Sequence, residues 1–271
     1  MQHRMYHAHW GLSRSPFAGG GTPLFYEGES QAEALARLRY VAENRRHALL
    51  LGERGAGKSL LIRQFAAQRR CEGRDSVAIG LAGISSRELL WQIAAGLSLG
   101  PRPDDEAVRL FRQLGDYAAA AGARKSMALL LLDDADQAGA DVRTTLLRLL
   151  SLGAETPWLT LVLIANASRS QRLGEELLDA IDLRIELEPW SEADMVGYVQ
   201  HALVEAGGDR PVFEDEALSA MYALTDGIPR RVNRLADHAL LGAAADEHDM
   251  VDAAMMEAAH DALSWTAVGP A

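Results

Sequence analysis

Several features that define whole classes of protein are missing from this sequence. Cysteine is nearly absent: Cys71 is the only one, so it cannot form a disulfide within the chain. No apolar run approaches the roughly 20 residues that a membrane-spanning helix needs, and Arg4 is not followed by the apolar core of a signal peptide. Positive charge is in deficit, since the formal net charge is −11. These absences favour a cytoplasmic protein that does not insert into membranes and does not coat nucleic acid by bulk charge.

The remaining composition and its periodicity indicate an α/β protein. The 271 residues are 48% hydrophobic and 24% charged, which is typical of a globular chain long enough for one large or two modest domains. Up to Pro189, short apolar runs alternate with helical periodicity, which predicts a parallel sheet wrapped by helices. After Pro189 only helical patterns appear. The predicted strands lie near residues 48–52, 77–82, 127–132, 159–165 and 184–188. The predicted helices lie near residues 58–70, 86–98, 105–121, 139–152, 169–180, 191–206, 214–225, 229–245 and 251–263. An earlier helix is expected to begin after Ser30, because Ser30 and Glu33 have the spacing of a capping box.

The most informative motif is GERGAGKS at residues 52–59, which has the spacing G-x-x-x-x-G-K-S of a phosphate-binding P-loop. Glycines let such a loop turn successive N–H groups toward phosphate oxygens. The lysine brings a positive charge to the β- and γ-phosphates, and the serine hydroxyl coordinates Mg²⁺. A predicted strand precedes the motif and a predicted helix follows it, as a P-loop requires. The loop therefore predicts phosphate binding with Mg²⁺ through Gly52, Glu53, Arg54, Gly55, Ala56, Gly57, Lys58, Ser59 and Leu60.

Two carboxylates complete the expected nucleotide site. The apolar run 129–132 ends in Asp133 and Asp134, the Walker B arrangement of a strand that ends in acids. Because ligands bind at the carboxyl ends of parallel strands, these acids are expected beside the P-loop. Asp133 is predicted to hold Mg²⁺ and Asp134 to polarise the attacking water. The alternative is that both acids simply begin a solvated turn.

Two further polar residues are candidates for sensing the γ-phosphate. The strand predicted near 159–165 is followed by Asn166, which could orient the water between the two Walker elements, although asparagine is also common where a loop begins. Arg230 opens a helix after Gly227-Ile228-Pro229 and could reach the γ-phosphate from a lid. The alternative for Arg230 and its arginine neighbours is a solvated or partner-binding face.

Together these motifs resemble the AAA+ ATPases, and most of all the ExeA-like (general secretion pathway protein A-like) proteins and the TniB-type transposition ATPases. The resemblance extends over nearly the whole chain, from Tyr6–Leu12 and Ser15-Pro16-Phe17 to the lid phrase Gly227–Asn233. It implies a P-loop parallel sheet in the order 5-1-4-3-2, followed by a small helical lid. It also implies an N-terminal adenine-pocket segment over residues 1–29, an α/β nucleotide-binding core over 30–189 and a lid over 190–265. The adenine pocket would include Leu12, Pro16 and Phe17, for which ordinary apolar packing is the alternative.

Two departures from the family pattern affect the expected rate of hydrolysis. The family usually has glutamate where this chain has Asp134, and a carboxylate withdrawn by about one methylene can cost ~10²-fold in rate. Relatives often carry an arginine before the last strand that reaches a neighbouring subunit, and the matching position here is Ala180. Arg169, Arg172 and Arg184 are the other candidates for that role.

The sequence therefore predicts a Mg²⁺-dependent ATP hydrolase that forms a homo-oligomer on binding ATP and acts with a protein partner. Its predicted catalytic residues are Lys58, Asp134, Asn166 and Arg230, with Ser59 and Asp133 on the metal. The rival interpretation is a slow or non-hydrolysing ATP-dependent switch or adaptor, associated with DNA or with secretion. The acidic balance counts against DNA, and the stretches Arg45-Arg46-His47 and Arg230–Arg234 leave room for it.

Overall fold

A five-stranded parallel sheet organises the first two thirds of the chain. The computed structural model describes residues 6, 8–17, 24–124, 126–152 and 157–265. The strands follow one another in the sheet in the order β2–β3–β4–β1–β5. This is the predicted order 5-1-4-3-2 counted from the other edge, so the predicted topology is confirmed. The strands are β1 (Ala48–Gly52), β2 (Ser76–Gly80), β3 (Ala128–Asp133), β4 (Leu159–Asn166) and β5 (Leu183–Leu187).

The three central strands are apolar because both faces of the sheet are covered. In β1 every residue is buried, and in β3 and β4 only the last residue is partly exposed. A strand buried on both faces needs a continuous apolar run rather than alternation, and this explains why the runs were recognisable in the sequence. The helices of this part of the chain are α1 (Glu29–Glu43), α2 (Lys58–Cys71), α3 (Ser86–Gly96), α4 (Ala107–Arg124), α5 (Ala140–Ser151) and α6 (Glu175–Asp179).

Two local predictions were wrong, each for an identifiable reason. The first helix begins at Glu29 rather than after Ser30, and the Ser30 hydroxyl oxygen accepts a hydrogen bond from the Glu188 N–H at 2.9 Å instead of capping the helix. The single helix predicted near 169–180 is a 3-10 segment, Ala167–Leu173, followed by α6. Gly174 separates the two with a φ of 85°, a conformation that no helix continues through.

The chain after Pro189 is helical and has its own apolar core. Its helices are α7 (Glu192–Glu205), α8 (Asp215–Thr225), α9 (Pro229–Ala245) and α10 (Ala253–Trp265). Met195 and Met221 are fully buried among these helices, as the default of core packing predicts. None of the helices among the described residues has the length and apolarity to cross a membrane.

Contacts divide the chain into two compact units. The sheet unit consists of Gln31–Arg54 and Lys58–Leu187. The helical unit consists of the described parts of residues 1–30, the chain from Glu188 onward, and the three P-loop residues Gly55–Gly57. The middle of the P-loop therefore groups with the helical unit, while its two ends group with the sheet.

We predict that Gly96→Ala destabilises the sheet unit, although alanine normally favours a helix by about 1 kcal/mol over glycine. A methyl group at Gly96 would lie 2.5 Å from Cγ1 and 2.8 Å from Cγ2 of Val77 on β2. Such overpacking costs about 1–3 kcal/mol. Urea unfolding followed by circular dichroism measures the change.

The matched control is Gly115→Ala in α4, where an added methyl group meets no atom within 4 Å. We expect this variant to gain up to about 1 kcal/mol. Adding Val77→Ala to Gly96→Ala should recover part of the loss as a favourable coupling in a double-mutant cycle. If Gly96→Ala and Gly115→Ala change the free energy of unfolding equally, the close packing of α3 on β2 is contradicted.

Candidate functional site

The predicted P-loop joins β1 to α2, and its glycines are required by the backbone. Gly55 and Gly57 have φ values of 99° and 96°, which side-chain-bearing residues rarely adopt. At Gly52 the reason is a close approach, because a Cβ there would lie 2.7 Å from the Leu187 carbonyl oxygen on β5. Of the other loop residues, Glu53 and Arg54 are exposed, Ala56 is buried and Leu60 is half-buried.

Lys58 and Ser59 occupy the first turn of α2. Helix N-termini carry unpaired N–H groups and a partial positive charge, so they favour anions. The Lys58 Nζ donates to the carbonyl oxygens of Gly52 and Glu53, both at 2.8 Å. These two carbonyls hold the ammonium group at the loop, and the Ser59 side chain is exposed beside it. A bound anion could therefore replace the two carbonyl oxygens as the partner of the Lys58 ammonium group.

The two Walker B acids lie where β3 ends, and the second is in an unusual conformation. Asp133 is partly buried, and its Oδ1 accepts from the Asp134 N–H at 3.0 Å. Asp134 is in the left-handed region with φ 53° and ψ 37°, which aspartate tolerates better than most residues. The pKa of the Asp134 carboxyl is raised, mainly by partial burial and then by the charges of Asp133 and Asp136, and Lys58 opposes this shift.

Asn166 lies at the end of β4, which is the strand between β1 and β3. Its register partner on β1 is Gly52, the first residue of the P-loop. The Asn166 Oδ1 accepts from the N–H of Ser168 at 3.1 Å and from its hydroxyl at 3.0 Å, so it caps the 3-10 segment that follows. Leu132 pairs with Leu163, so Asp133 falls about two residues short of Asn166 in register. With neighbouring strands about 4.8 Å apart and a rise of about 3.3 Å per residue, Gly52, Asn166 and Asp133 lie within roughly 12 Å of one another at one edge of the sheet.

Asp136 was not singled out by the sequence, although it is the third acid in the segment Asp133–Asp136. It lies on the 3-10 turn Ala135–Gln137 and is only 6% exposed. Its Oδ1 accepts from the backbone N–H of Asn166 at 3.2 Å. The available signal was the spacing of three acids after an apolar strand, but spacing alone does not distinguish a buried acid from a solvated one.

The predicted lid arginine lies beside the middle of the P-loop within the helical unit. Arg230 is the second residue of α9, and its N–H donates to the Gly55 carbonyl oxygen at 3.2 Å. A Cβ on Gly55 would lie only 2.9 Å from the Arg230 Cβ. Gly227 has a φ of 65°, and a Cβ there would lie 2.0 Å from the Trp190 carbonyl oxygen. Glycines at 55 and 227 therefore allow the approach of backbone segments on which the position of Arg230 depends.

Two of the three residues predicted for the adenine pocket, Leu12 and Phe17, pack in the apolar core of the helical unit. Leu12 and Phe17 are buried, and Pro16 is half-buried. The Phe17 ring centroid is 6.3 Å from that of Tyr198 and 6.4 Å from that of Phe213. This is the ordinary apolar packing that the sequence offered as the alternative.

The candidates for a trans-acting arginine are on the surface of the sheet unit. Ala180 follows α6 directly and is half-buried. Arg184 forms an ion pair with Glu186 at 2.9 Å. Arg169 and Arg172 are exposed on the 3-10 segment after Asn166. The surface position of these three arginines is compatible with contact to another molecule.

The residues of the sheet unit fit a magnesium-bound nucleotide. A serine hydroxyl and carboxylate oxygens are hard donors, and Mg²⁺ is usually held by one or two side chains together with phosphate oxygens and waters. Ser59 and Asp133 supply such donors at the same edge of the sheet, and Asp133 is already oriented by the Asp134 N–H. Lys58 adds positive charge for phosphate, and the same charge opposes the rise in the pKa of the Asp134 carboxyl.

Comparison with known proteins gives independent information on the chain. The family model described as an AAA domain matches residues 41–173. Over 265 residues the chain is 31% identical to general secretion pathway protein A of Aeromonas hydrophila. That match covers 95% of this chain and 48% of the relative, so the chain spans about half the length of the curated relative it matches.

Two solved structures with a similar fold are from Aeropyrum pernix and Thermotoga maritima. The Aeropyrum pernix ORC1 protein, solved in complex with DNA, has a TM-score of 0.64 at 17% identity, covering 92% of this chain and 68% of that one. The Thermotoga maritima RuvB Holliday junction branch migration motor has a TM-score of 0.57 at 17% identity, covering 88% of this chain and 70% of that one. At this identity the likeness concerns the fold alone.

We predict that Asp134→Val lowers the free energy of unfolding by about 1–2 kcal/mol, because a β-branched residue is disfavoured in the left-handed region. Asp134→Asn should stay within about 0.5 kcal/mol of the wild type, since asparagine adopts this conformation readily. Urea unfolding of the three proteins measures the difference. Equal stability of the valine and asparagine variants would contradict the left-handed turn.

Proposed function

Since the chain belongs to the AAA+ family of P-loop ATPases and is of the ExeA-like type, we propose that it binds ATP with Mg²⁺ and hydrolyses it to ADP and phosphate. The observation that carries this proposal is the edge of the sheet where Gly52, Asn166 and Asp133 end three adjacent strands. The free energy of ATP hydrolysis would drive a conformational change of the lid and of the oligomer. AAA+ ATPases generally bind ATP with Mg²⁺, and the fitting donors in this chain support the same for it.

Binding of the triphosphate is assigned to the P-loop and the first turn of α2. The Lys58 ammonium exchanges the carbonyl oxygens of Gly52 and Glu53 for β- and γ-phosphate oxygens. The positive-φ glycines turn loop N–H groups toward the same oxygens. Ser59 and Asp133 would hold Mg²⁺, which supplies positive charge to the phosphates when it is bound.

The hydrolytic step is assigned to the turn after β3. Asp134 accepts a hydrogen bond from a water molecule in line with the γ-phosphorus, and takes up its proton as the oxygen attacks. A carboxylate within hydrogen-bond reach of this water can serve as its general base. Asn166 orients the water from β4, and Arg230 balances charge on the γ-phosphoryl oxygens. The bond to the β-phosphate oxygen breaks, and ADP departs.

A slow ATP-dependent switch or adaptor is the second candidate, favoured by Asp134 itself. The carboxylate is one methylene shorter than glutamate, and a misplacement of about 1 Å can cost ~10²-fold in rate. Single-turnover cleavage of ATP, measured with and without DNA and alongside the protein's size, separates the two candidates. The switch is identified if the protein assembles when ATP is added but cleaves ATP at a rate near that of uncatalysed hydrolysis. DNA-stimulated turnover with a salt-dependent affinity would favour a nucleic-acid partner.

The setting of the activity is a proposal as well. The secretion-pathway relative supports a protein partner in secretion, and the ORC1–DNA complex is the reason to include DNA in the assays. We propose a cytoplasmic protein that forms a homo-oligomer on binding ATP. Light scattering with and without ATP and Mg²⁺ tests the assembly.

We expect Lys58→Ala to abolish ATP binding, because the ammonium charge at the P-loop is lost. Isothermal titration with ATP and Mg²⁺ measures the affinity. The control is Arg70→Ala, which removes an exposed positive charge from the other end of the same helix and should leave the affinity within about 2-fold of the wild type. Unchanged affinity in Lys58→Ala would refute the assignment of the P-loop.

We expect Asp134→Asn to reduce turnover at least ~10²-fold while leaving the affinity for ATP unchanged, since the amide cannot accept a proton. Asparagine fits the left-handed backbone, so the loss would report the carboxylate rather than a distorted turn. Steady-state phosphate release and nucleotide titration are measured on the same preparations. Full turnover in this variant would remove Asp134 from the mechanism.

A further inference from the structure

We propose that Asp136 is a positioning residue that fixes Asn166 relative to the turn carrying Asp133 and Asp134. The inference rests on the proposed ATPase function for its kinetic consequence, although the contact itself does not depend on it. The Asp136 Oδ1 accepts the Asn166 N–H at 3.2 Å, and the side chain is almost fully enclosed.

The contact extends the link between β3 and β4 past the end of their ladder. The last paired residues of these strands are Leu132 and Leu163, whereas β4 continues to Asn166. On its other side β4 remains paired with β1 as far as Gly52. The Asn166 N–H lies in a partly buried position, and the Asp136 carboxylate supplies its acceptor where β3 no longer does.

Asn166 is therefore held by three separate contacts. β1 pairs with its backbone, Asp136 accepts its N–H, and Ser168 donates to its Oδ1. With the side-chain oxygen used as a cap, the amide NH₂ is the group left to act on water or phosphate. The direction of that NH₂ depends on the backbone that Asp136 holds.

Burying a carboxylate costs more free energy than burying a neutral acceptor that could make the same hydrogen bond. Asp136 is only 6% exposed, and enclosing a carboxylate costs free energy of desolvation. A neutral apolar side chain would fold at lower cost if the position only filled space. The presence of a buried acceptor here is explained if the geometry of Asn166 matters for the reaction.

The experiment compares Asp136→Ala, which removes the acceptor, with Asp136→Asn, whose amide oxygen replaces Oδ1. We expect the alanine variant to lose at least ~10-fold in kcat, because misplacement of the order of 1 Å is costly. The KM and the affinity for ATP should stay within about 2-fold, since the phosphates bind to a different strand end. The asparagine variant should recover most of kcat. Asp116→Ala, an exposed carboxylate on α4, is the control and should match the wild type in every measurement.

A second readout is independent of catalysis. Amide hydrogen exchange at Asn166 should be faster than wild type in Asp136→Ala and close to wild type in Asp136→Asn, with thermal unfolding recorded for each. If the exchange results hold and no protein in the set cleaves ATP, the contact stands and the proposed hydrolysis fails. Wild-type exchange and kcat in a folded alanine variant would overturn the positioning role. An asparagine variant that is as impaired as the alanine one would overturn it too, including where the alanine variant does not fold.

Discussion

The candidate site depends first on the position of β4 between β1 and β3. Parallel strands in this order place three carboxyl ends side by side, so residues distant in the sequence become neighbours at one edge. Gly52, Asn166 and Asp133 owe their proximity to that order rather than to any contact between their side chains. A sheet with β3 and β4 exchanged would put the acids next to the P-loop strand and leave Asn166 on the far side.

Two departures from ordinary backbone and burial preferences lie in the turn after β3. Asp134 is in the left-handed region, and Asp136 is a buried acid. Strain and like-charge repulsion of this kind persist when the surrounding structure holds them in place, and they often mark sites where geometry serves a reaction. The central strands of the sheet, by contrast, follow the preferences of their sequences closely.

The sequence was sufficient for the sheet because its central strands are buried on both faces. The runs at 48–51, 129–132 and 159–164 are too short for a typical helix and suit strands covered on both faces, and family resemblance supplied their order. The sequence was insufficient where several partners compete for one residue. The Ser30 hydroxyl accepts from Glu188 rather than capping its own helix, and Gly174 divides a segment whose apolar spacing is helical. Asp136 was missed for the same reason, since its acceptor role is set by the end of another strand. The roles assigned to Lys58, Asp134, Asn166 and Arg230 remain predictions.

The exposed position of Cys71 has a practical consequence. It is the only thiol in the sequence and the last residue of α2, whose first residue is Lys58. A helix rises about 1.5 Å per residue, so a maleimide dye on this thiol would be anchored roughly 20 Å along the helix from the P-loop lysine. That separation is short enough for energy transfer to a fluorescent nucleotide. The natural chain thus carries a single labelling point from which nucleotide arrival and departure can be timed without replacing any residue.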